Sequence, residues 1–402
     1  MLRVHDPFRR GQLATAALFC SLGFQYATWA SRLPAITSHL GLSAAQVGLL
    51  LMATGIGAVA AFPLVAILMR RLGSRRLALV TAVGLALLLL AMSDLPDYPV
   101  ALLVMLCDGA LVAGLNVAMN AQGAALEAVH GRNAMARLHA TFSGGSLVAA
   151  LLASGMNTLT STVLVHFAVA AALLLLLAGY ARDGLLTEEQ QVPRKETAAG
   201  AETAAGAAEG PGAAKSRGRW TMPTRVTLWL GAAMVFGTVT EGAMNDWSAL
   251  YMKDVAKASA ELAPMGIAVV SVMMVLARVF ADGWRGRWGD GRIVRVGSAV
   301  AGAGLALALL SGGVVPALIG FACVGLGIAA VTPCVYVAAA KNGSDALTVV
   351  ATMGTTGLLA GPPLIGFIAN GSGLVWGLAA VAGCAVLVSV CSTQIRWTPA
   401  EA

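Results

Sequence analysis

Long apolar runs, separated by short polar or basic turns, repeat along almost the whole chain. A helix that crosses a bilayer needs about 20 apolar residues, and an open strand edge in lipid would leave backbone groups without partners. The pattern therefore predicts an all-α integral membrane protein. Its twelve predicted spans lie at residues 12–31, 44–69, 77–93, 98–125, 138–156, 161–181, 225–250, 263–283, 293–311, 315–340, 347–369 and 374–391.

The last six predicted spans repeat landmarks of the first six. Trp29 precedes Gly48 by the same 19 residues that separate Trp247 from Gly266. Further matches at one offset of 211 residues are Gly114-Leu115 with Gly325-Leu326 and Ala140–Leu147 with Ala351–Leu358. A duplicated six-helix unit is typical of transporters that work by alternating access, because two similar bundles can rock about a site between them.

Composition agrees with a membrane protein and suggests how the halves are joined. The chain is 58% hydrophobic and 11% charged, against roughly 45–50% apolar and about 25% charged residues in soluble domains. We predict an N-terminal six-helix bundle at 1–182 and a C-terminal one at 225–402. The stretch between them, 183–224, is rich in Ala, Gly and Glu and cannot bury a core, so we predict a disordered cytoplasmic linker.

Basic residues predict the orientation of the chain. If both termini are cytoplasmic, all but three of the 26 Lys and Arg residues fall on the inner side, and the exceptions are Arg32, Lys253 and Lys257. Such an excess is typical of cytoplasmic loops, so we predict a multi-pass protein of the cytoplasmic (inner) membrane. The net charge of +7 is then explained by topology and anionic lipid, and no nucleic-acid partner is expected.

Several functional classes lack their usual sequence signals. The six cysteines lie singly within predicted spans, without a Cys-x-x-Cys or His-Cys cluster, so we expect neither disulfides nor a metal site, and no cofactor. A nucleophile elbow and a His-Glu-x-x-His helix are missing, which argues against an enzyme. A channel would usually supply a repeated filter loop and a sensor a sizeable soluble domain; a sensor or channel is the alternative class.

Ionisable side chains inside the spans are candidates for proton coupling, because each costs about 2.5–3.5 kcal/mol at mid-bilayer on insertion scales. Glu241 and Asp246 lie in one span, where a carboxylate can load and release a proton. Alternatively, Glu241 bonds a neighbouring helix and Asp246 caps the helix end. Asp108 and His139 are further candidates; the alternatives are a paired carboxylate and a solvated histidine at a helix end.

Polar and aromatic side chains that share helix faces are candidates for substrate contact. Asn116 and Asn120 lie one turn apart, and their amides offer donors and an acceptor to a polar solute; interhelical hydrogen bonding is the alternative. Tyr26 and Trp29 can stack on a sugar ring or belong to the interfacial aromatic belt. The predicted substrate-contacting residues are Gln25, Tyr26, Trp29, Asn116, Asn120, Gln122, Asn245 and Trp247.

Two basic turns resemble a known motif. Ala66-Ile-Leu-Met-Arg70-Arg71-Leu-Gly73-Ser-Arg75-Arg76, together with the duplication and the twelve spans, is similar to the major facilitator superfamily, whose usual turn reads Gly-x-x-x-Asp-Arg-x-Gly-Arg-Arg. This first copy has Arg70 in place of the acid, whereas the second copy, Arg278 to Gly289, keeps one. The resemblance implies an inner gate formed by Arg71, Gly73, Arg76, Arg278, Asp282 and Arg287.

Within that superfamily the chain resembles the MosC/YbjJ-type branch, which is distantly related to fucose permease. The resemblance rests on Trp29–Pro34, Asn116–Gly123, His139–Ser143, Glu241–Ser248 and Gly361–Gly366. It implies a major facilitator fold and a transport role, and a few members of that branch are associated with sugar- or inositol-derived compounds. Together with the candidate acids inside the spans, this leads us to predict proton-coupled secondary active transport of a small polar metabolite, such as a sugar- or inositol-like compound. We expect a monomer. A proton-driven drug or metabolite exporter is the alternative, although the fifth span lacks the Gly-Pro signature of drug-proton antiporters.

Overall fold

The computed structural model describes residues 6–187, 190, 223–395 and 397, and the regular structure in that part of the chain is α-helical. This agrees with the predicted all-α fold. The helices are α1 (Pro7–Leu40), α2 (Ala44–Met92), α3 (Tyr98–His130), α4 (Met135–Leu159), α5 (Val163–Arg182), α6 (Arg225–Asp254), α7 (Met265–Trp288), α8 (Asp290–Ser311), α9 (Val314–Ile328), α10 (Val331–Lys341), α11 (Ser344–Ser372) and α12 (Leu374–Gln394).

The helices match the predicted spans once two breaks are considered. Helix α2 has 49 residues and would be about 74 Å long if it were continuous, more than twice the thickness of a hydrocarbon core. It breaks at Gly73, where φ is 74° and ψ is 166°, and so contains the predicted spans 44–69 and 77–93. Helices α9 and α10 together fill the predicted span 315–340. Counted in this way, the described helices give twelve spans.

Most of these helices are apolar enough to cross a bilayer. Nine helical segments in the described part of the chain satisfy the length and hydropathy expected of a span, and a shorter apolar segment covers Met265–Ala281. Helix α1 is not among the nine, because it carries Gln25, Ser31 and Arg32 within its length. These three side chains are buried, so their polar groups contact protein instead of lipid.

The backbone conformation at the Gly73 break favours glycine over any other residue. Its φ and ψ lie in a region that is essentially open to glycine alone, so Gly73→Ala should lower the free energy of unfolding by about 1–2 kcal/mol. Gly144→Ala is the matched control, since it lies inside α4 and a new methyl group would meet nothing within 4 Å. Thermal unfolding of the two purified variants checks this; equal melting temperatures would contradict it.

The sequence alone predicts that a bulky residue at position 73 slows transport while folding stays normal. The positive φ changes that expectation. A bulky side chain at Gly73 should destabilise the protein as well, so a loss of transport in such a variant would not by itself identify a gate.

The chain divides into two compact units. One draws on residues within Met1–Arg32 and Ala53–Gly210, and the other on residues within Leu33–Met52 and Pro211–Ala402. Helices α1 and α2 therefore contribute to both units. The bundles predicted at 1–182 and 225–402 remain predictions, and most of the predicted linker lies outside the described residues.

In the first unit, close helix packing positions the residues discussed below. A side chain at Gly109 of α3 would collide with the carbonyl of Thr54 in α2, and one at Gly57 of α2 would collide with that of Leu106. Small residues let two helix backbones approach in this way. The contact fixes α3 against α2 directly beside Asp108, so that carboxyl group lies in a closely packed part of the unit.

In the second unit, α6 has a largely buried face. Trp247 and Tyr251 are each 1% exposed, and the Tyr251 ring meets Phe321 of α9 edge-on, with centroids 5.8 Å apart. Helix α6 also packs against α11 and α12. This burial orders the segment of α6 that carries Glu241, Asn245 and Asp246.

Candidate functional site

A fully buried carboxyl group forms the centre of the first unit's polar cluster. Asp108 of α3 is 0% exposed and Gln25 of α1 is 1% exposed. The Gln25 amide donates to Asp108 Oδ1 over 2.7 Å, while Asp108 Oδ2 and Gln25 Oε1 have no hydrogen-bond partner among the described atoms. No cation of the described chain forms a salt bridge with Asp108. A bare charge in such a place is costly, and binding a proton removes it.

A second buried pair lies two turns further along α1. Arg32 is 4% exposed and His166 of α5 is 0% exposed. Arg32 Nε donates to His166 Nδ1 over 3.0 Å, so Nδ1 must carry a lone pair and the imidazole is neutral in this arrangement. The other polar ends, Arg32 Nη2 and His166 Nε2, are buried without partners among the described residues. A positive charge is thus buried beside a neutral acceptor.

The two pairs lie on one face of α1. Gln25, Trp29 and Arg32 are spaced at i, i+4 and i+7, which places them on a single stripe of the helix, and all three are buried. Trp29 Nε1 also lacks a partner among the described atoms. Unpaired buried polar groups are rare in folded proteins and mark places that need a functional or solvent explanation.

The other amides predicted to contact substrate are used locally. Asn120 Nδ2 donates to the Asn116 carbonyl over 2.8 Å and to Asn116 Oδ1 over 3.0 Å, so the two side chains form an exposed pair within α3. Gln122 is 1% exposed and bonds the Ser74 hydroxyl and both backbone groups of Leu186. Gln122 thus hydrogen-bonds α2 and the segment after α5, and the predicted substrate contacts of Asn116, Asn120 and Gln122 stay predictions.

In the second unit, Glu241 is paired with a residue that the sequence assigned to the gate. Arg278 of α7 lies 3.3 Å from Glu241 Oε1, and the side chains are 25% and 27% exposed. Asn245 donates to the Glu241 carbonyl one turn back. The pair is therefore an accessible ion pair between α6 and α7, and it joins a residue predicted for proton coupling to one predicted for the gate.

The remaining predicted residues are mostly buried. Asp246 is 5% exposed and Trp247 is 1% exposed. The Tyr26 ring meets Trp29 edge-on, with centroids 5.2 Å apart, and the His139 ring meets Phe19 in the same way at 4.9 Å. The Trp29 and Trp247 rings are thus closed off from solvent in this conformation.

Most predicted gate residues lie near the ends of helices. Arg71 and Arg76 are exposed on either side of the α2 break at Gly73, and Arg287 is exposed in the last turn of α7. The Asp282 side chain lies outside the described part of the chain. The gate assignment therefore stays a prediction.

The sequence interpretation missed His166 and ended the first span one residue before Arg32. His166 is the lone ionisable residue among the apolar residues at the start of α5. Because an ionisable side chain in a membrane carries a large free-energy cost, the sequence contained enough information to select His166 as a candidate. The predicted span ended at residue 31, but α1 continues to Leu40 and contains Arg32. Among the described residues, no cluster of three or more His, Cys, Asp or Glu could hold a metal ion.

Comparison with known proteins identifies relatives over most of the chain. Residues 14–345 match the Major Facilitator Superfamily profile. An uncharacterized MFS-type transporter of Yersinia pestis is 31% identical over 375 residues, which cover 90% of each chain. Membrane protein MosC of Rhizobium meliloti is 26% identical over 387 residues, covering 94% of this chain and 88% of MosC. The predicted resemblance to the MosC-type branch is confirmed.

Solved structures share the fold at low sequence identity. The nucleoside transporter NupG matches with a TM-score of 0.69 and 16% identity, covering 97% of this chain and 98% of NupG. The E. coli fucose:proton symporter FucP matches with a TM-score of 0.61 and 16% identity, covering 98% and 100%. These two matches confirm the predicted major facilitator fold. The chain belongs to the major facilitator superfamily and is a multi-pass membrane transporter rather than an enzyme.

Proposed function

We propose that this protein is a proton-coupled secondary transporter that moves a small polar metabolite by alternating access. The observation that carries the proposal is the Asp108–Gln25 pair: a carboxyl group that is 0% exposed, accepts one hydrogen bond from an amide and has no salt-bridge partner among the described residues. A neutral, protonated Asp108 fits this environment without a buried charge. Exposure to water would let the same group release its proton.

The coupling follows from what protonation does to the neighbouring amide. A carboxylate accepts hydrogen bonds only, whereas the protonated acid also donates one. Gln25 can present its NH₂ to the first form or its carbonyl oxygen to the second, and that oxygen has no hydrogen-bond partner among the described residues. Proton binding at Asp108 can thus change the hydrogen bonds that Gln25 offers to a solute, which links the proton to substrate binding.

The class of substrate rests on neutral hydrogen-bonding groups and on the comparisons. Asn116 and Asn120 are accessible amides on α3, and amides bind hydroxyl or carbonyl groups of uncharged solutes well. NupG is named as a nucleoside transporter and FucP as a fucose:proton symporter. Nucleosides and fucose are polar solutes. We therefore propose a sugar-, inositol- or nucleoside-sized polar metabolite.

Two measurements test this function in sequence. Purified protein is first screened by thermal unfolding against sugars, inositols and nucleosides, since a ligand at 100 times its dissociation constant adds about 2.7 kcal/mol of stability. A stabilising compound is then offered to proteoliposomes with and without an imposed pH gradient. We expect saturable uptake that a protonophore abolishes. Uptake that is saturable but indifferent to the protonophore would contradict proton coupling, and unsaturable flux would indicate a channel.

The Glu241–Arg278 ion pair should contribute to transport through its charges. Glu241→Gln removes the ion pair and should reduce gradient-driven accumulation, because a neutral amide cannot alternate between paired and protonated forms. Reversing both charges, Glu241→Arg with Arg278→Glu, should restore part of the gradient-driven accumulation. Asp254→Asn is the control, since Asp254 is an exposed acid at the end of the same helix. Accumulation by Glu241→Gln at the wild-type level would exclude this acid from coupling.

The proposed topology places the protein in the inner membrane, with both termini and the 183–224 segment in the cytoplasm. The basic residues that flank the spans support it. A protease site introduced within 191–222 should resist protease added to sealed cells and be cut after the cells are opened. Cleavage in sealed cells would contradict the proposed orientation. The matched control is a site introduced between Thr160 and Thr162, in the turn after α4, which should be cut in both conditions.

A further inference from the structure

The second unit contains an apolar cavity that the proposed transport function does not use. Its volume is about 440 Å³, within the range of about 300–1,000 Å³ for small-molecule sites. The cavity lies between α7, α8 and α9, and its walls include Trp284, Trp288, Val296, Val300 and Leu326, with Arg292 as the charged residue of its lining.

The walls of this cavity continue onto the lipid-facing surface. Val296 is 55% exposed, Val300 43% and Trp288 47%. In a chain that spans a membrane, exposed apolar side chains on a helix contact acyl chains, because water does not reach them there. A hydrocarbon tail can therefore enter the cavity directly from the bilayer.

An aromatic ladder marks the level of the cavity in the membrane. Phe280, Trp284 and Trp288 follow one another at four-residue spacing on α7, with ring centroids 5.9 and 6.2 Å apart and nearly parallel planes. The helix ends at Trp288, and the chain turns at Gly289 into α8. Tryptophan is enriched where the hydrocarbon core meets the headgroups, so the cavity lies at the depth where a lipid changes from tail to headgroup.

The charge at the edge of the cavity is available to a ligand. Arg292 is exposed and forms no hydrogen bond or ion pair with the described residues. The neighbouring acid, Asp290, is already held by Arg285 through two contacts of 2.7 and 3.2 Å. A guanidinium binds phosphate oxygens with good geometry, and Arg287 adds a second exposed positive charge nearby along the chain.

We propose that this cavity binds an anionic phospholipid, with one acyl chain between α7, α8 and α9 and the phosphate on Arg292. An acyl tail matches the apolar, membrane-open wall, and an anionic headgroup matches the unpaired arginine. Anionic lipid at the cytoplasmic surface is attracted by such basic residues. The residues that line the cavity do not include Asp108, Gln25, Glu241 or Arg278, and the proposal does not depend on proton coupling.

Tryptophan quenching by brominated lipid tests the proposal on the full-length protein. The protein is placed in nanodiscs of phosphatidylcholine that contain equal fractions of tail-brominated phosphatidylglycerol or tail-brominated phosphatidylcholine. We expect stronger quenching by the brominated phosphatidylglycerol. Trp284→Phe with Trp288→Phe should remove this excess quenching, because those two rings line the cavity.

The arginine variants identify the headgroup contact. Arg292→Gln should lower the preference for the anionic lipid about five-fold, whereas Arg292→Lys should keep most of it. Arg137→Gln removes an exposed charge from the first unit and should leave the preference unchanged. Equal quenching by the two lipids in wild type, or an equal loss in Arg137→Gln, would overturn the proposal. So would suppression of the excess quenching by added inorganic phosphate, which would indicate a site for free anions.

Discussion

Replacing Asp108 by asparagine should abolish substrate accumulation driven by a pH gradient while leaving substrate exchange across the membrane intact. Asparagine has nearly the shape of the protonated acid and stays neutral, so it fits a position that is 0% exposed without a buried charge. The variant cannot release a proton, and transport should lose its link to the gradient. We expect loss of at least nine-tenths of the concentrative uptake.

The measurement compares two assays on the same proteoliposomes. Counterflow, in which unlabelled solute inside exchanges with labelled solute outside, needs binding and reorientation but no net proton movement. Uptake driven by a pH gradient needs all three. The matched control is Asp97→Asn, which changes an exposed acid at the start of the same helix, where asparagine can still accept the cap hydrogen bond from the Val100 amide.

A companion variant tests the role of Gln25. Gln25→Leu removes the one hydrogen bond that Asp108 accepts from the described chain and takes away the amide that would sense its protonation. It should weaken substrate binding as well as accumulation, in contrast to Asp108→Asn. Wild-type accumulation by Asp108→Asn would exclude this acid as the proton site and leave Glu241 as the next candidate.

Much of the fold could be predicted because membrane helices leave a strong record in sequence. Each apolar run must be about long enough to cross the bilayer, and the duplicated landmarks set the helix count independently. The failure at α1 has a physical cause. Arg32 and Pro34 look like the end of a span, but α1 continues through them to Leu40, because Arg32 is buried against His166 and never meets lipid.

The candidate site could be predicted only as a set of separate residues. Gln25 and Asp108 were each selected as polar groups inside spans, but they are 83 residues apart, and one sequence contains no information on which buried groups meet. Glu241 and Arg278 were likewise assigned different roles. Helical spacing shows which residues share a face of one helix, whereas contacts between helices depend on packing such as that of Gly109 against α2.

The Arg32–His166 contact predicts an unequal response to its two single substitutions. His166→Leu leaves a guanidinium that is 4% exposed without its one hydrogen bond to the described chain. Leaving a buried donor without its partner costs about 1–3 kcal/mol, and more when the donor is charged, so we expect about 3 kcal/mol here. Arg32→Met removes the charge itself and leaves only an unpaired neutral nitrogen on His166, which costs about 1–3 kcal/mol. Because the variant no longer buries a charge, part of this cost is offset.

The double variant Arg32→Met with His166→Leu provides the decisive comparison. It replaces both hydrogen-bond partners by apolar side chains of similar size, a change that can be nearly neutral, and so it should be more stable than His166→Leu alone. Unfolding of the detergent-purified variants measures the cycle. Arg75→Met is the matched control, since Arg75 donates to the exposed Arg182 carbonyl and should change stability by well under 1 kcal/mol. If His166→Leu proves no less stable than Arg32→Met, the buried guanidinium has another hydrogen-bond acceptor, such as a bound water or the transported solute. Stability measured with and without substrate then distinguishes the water from the solute.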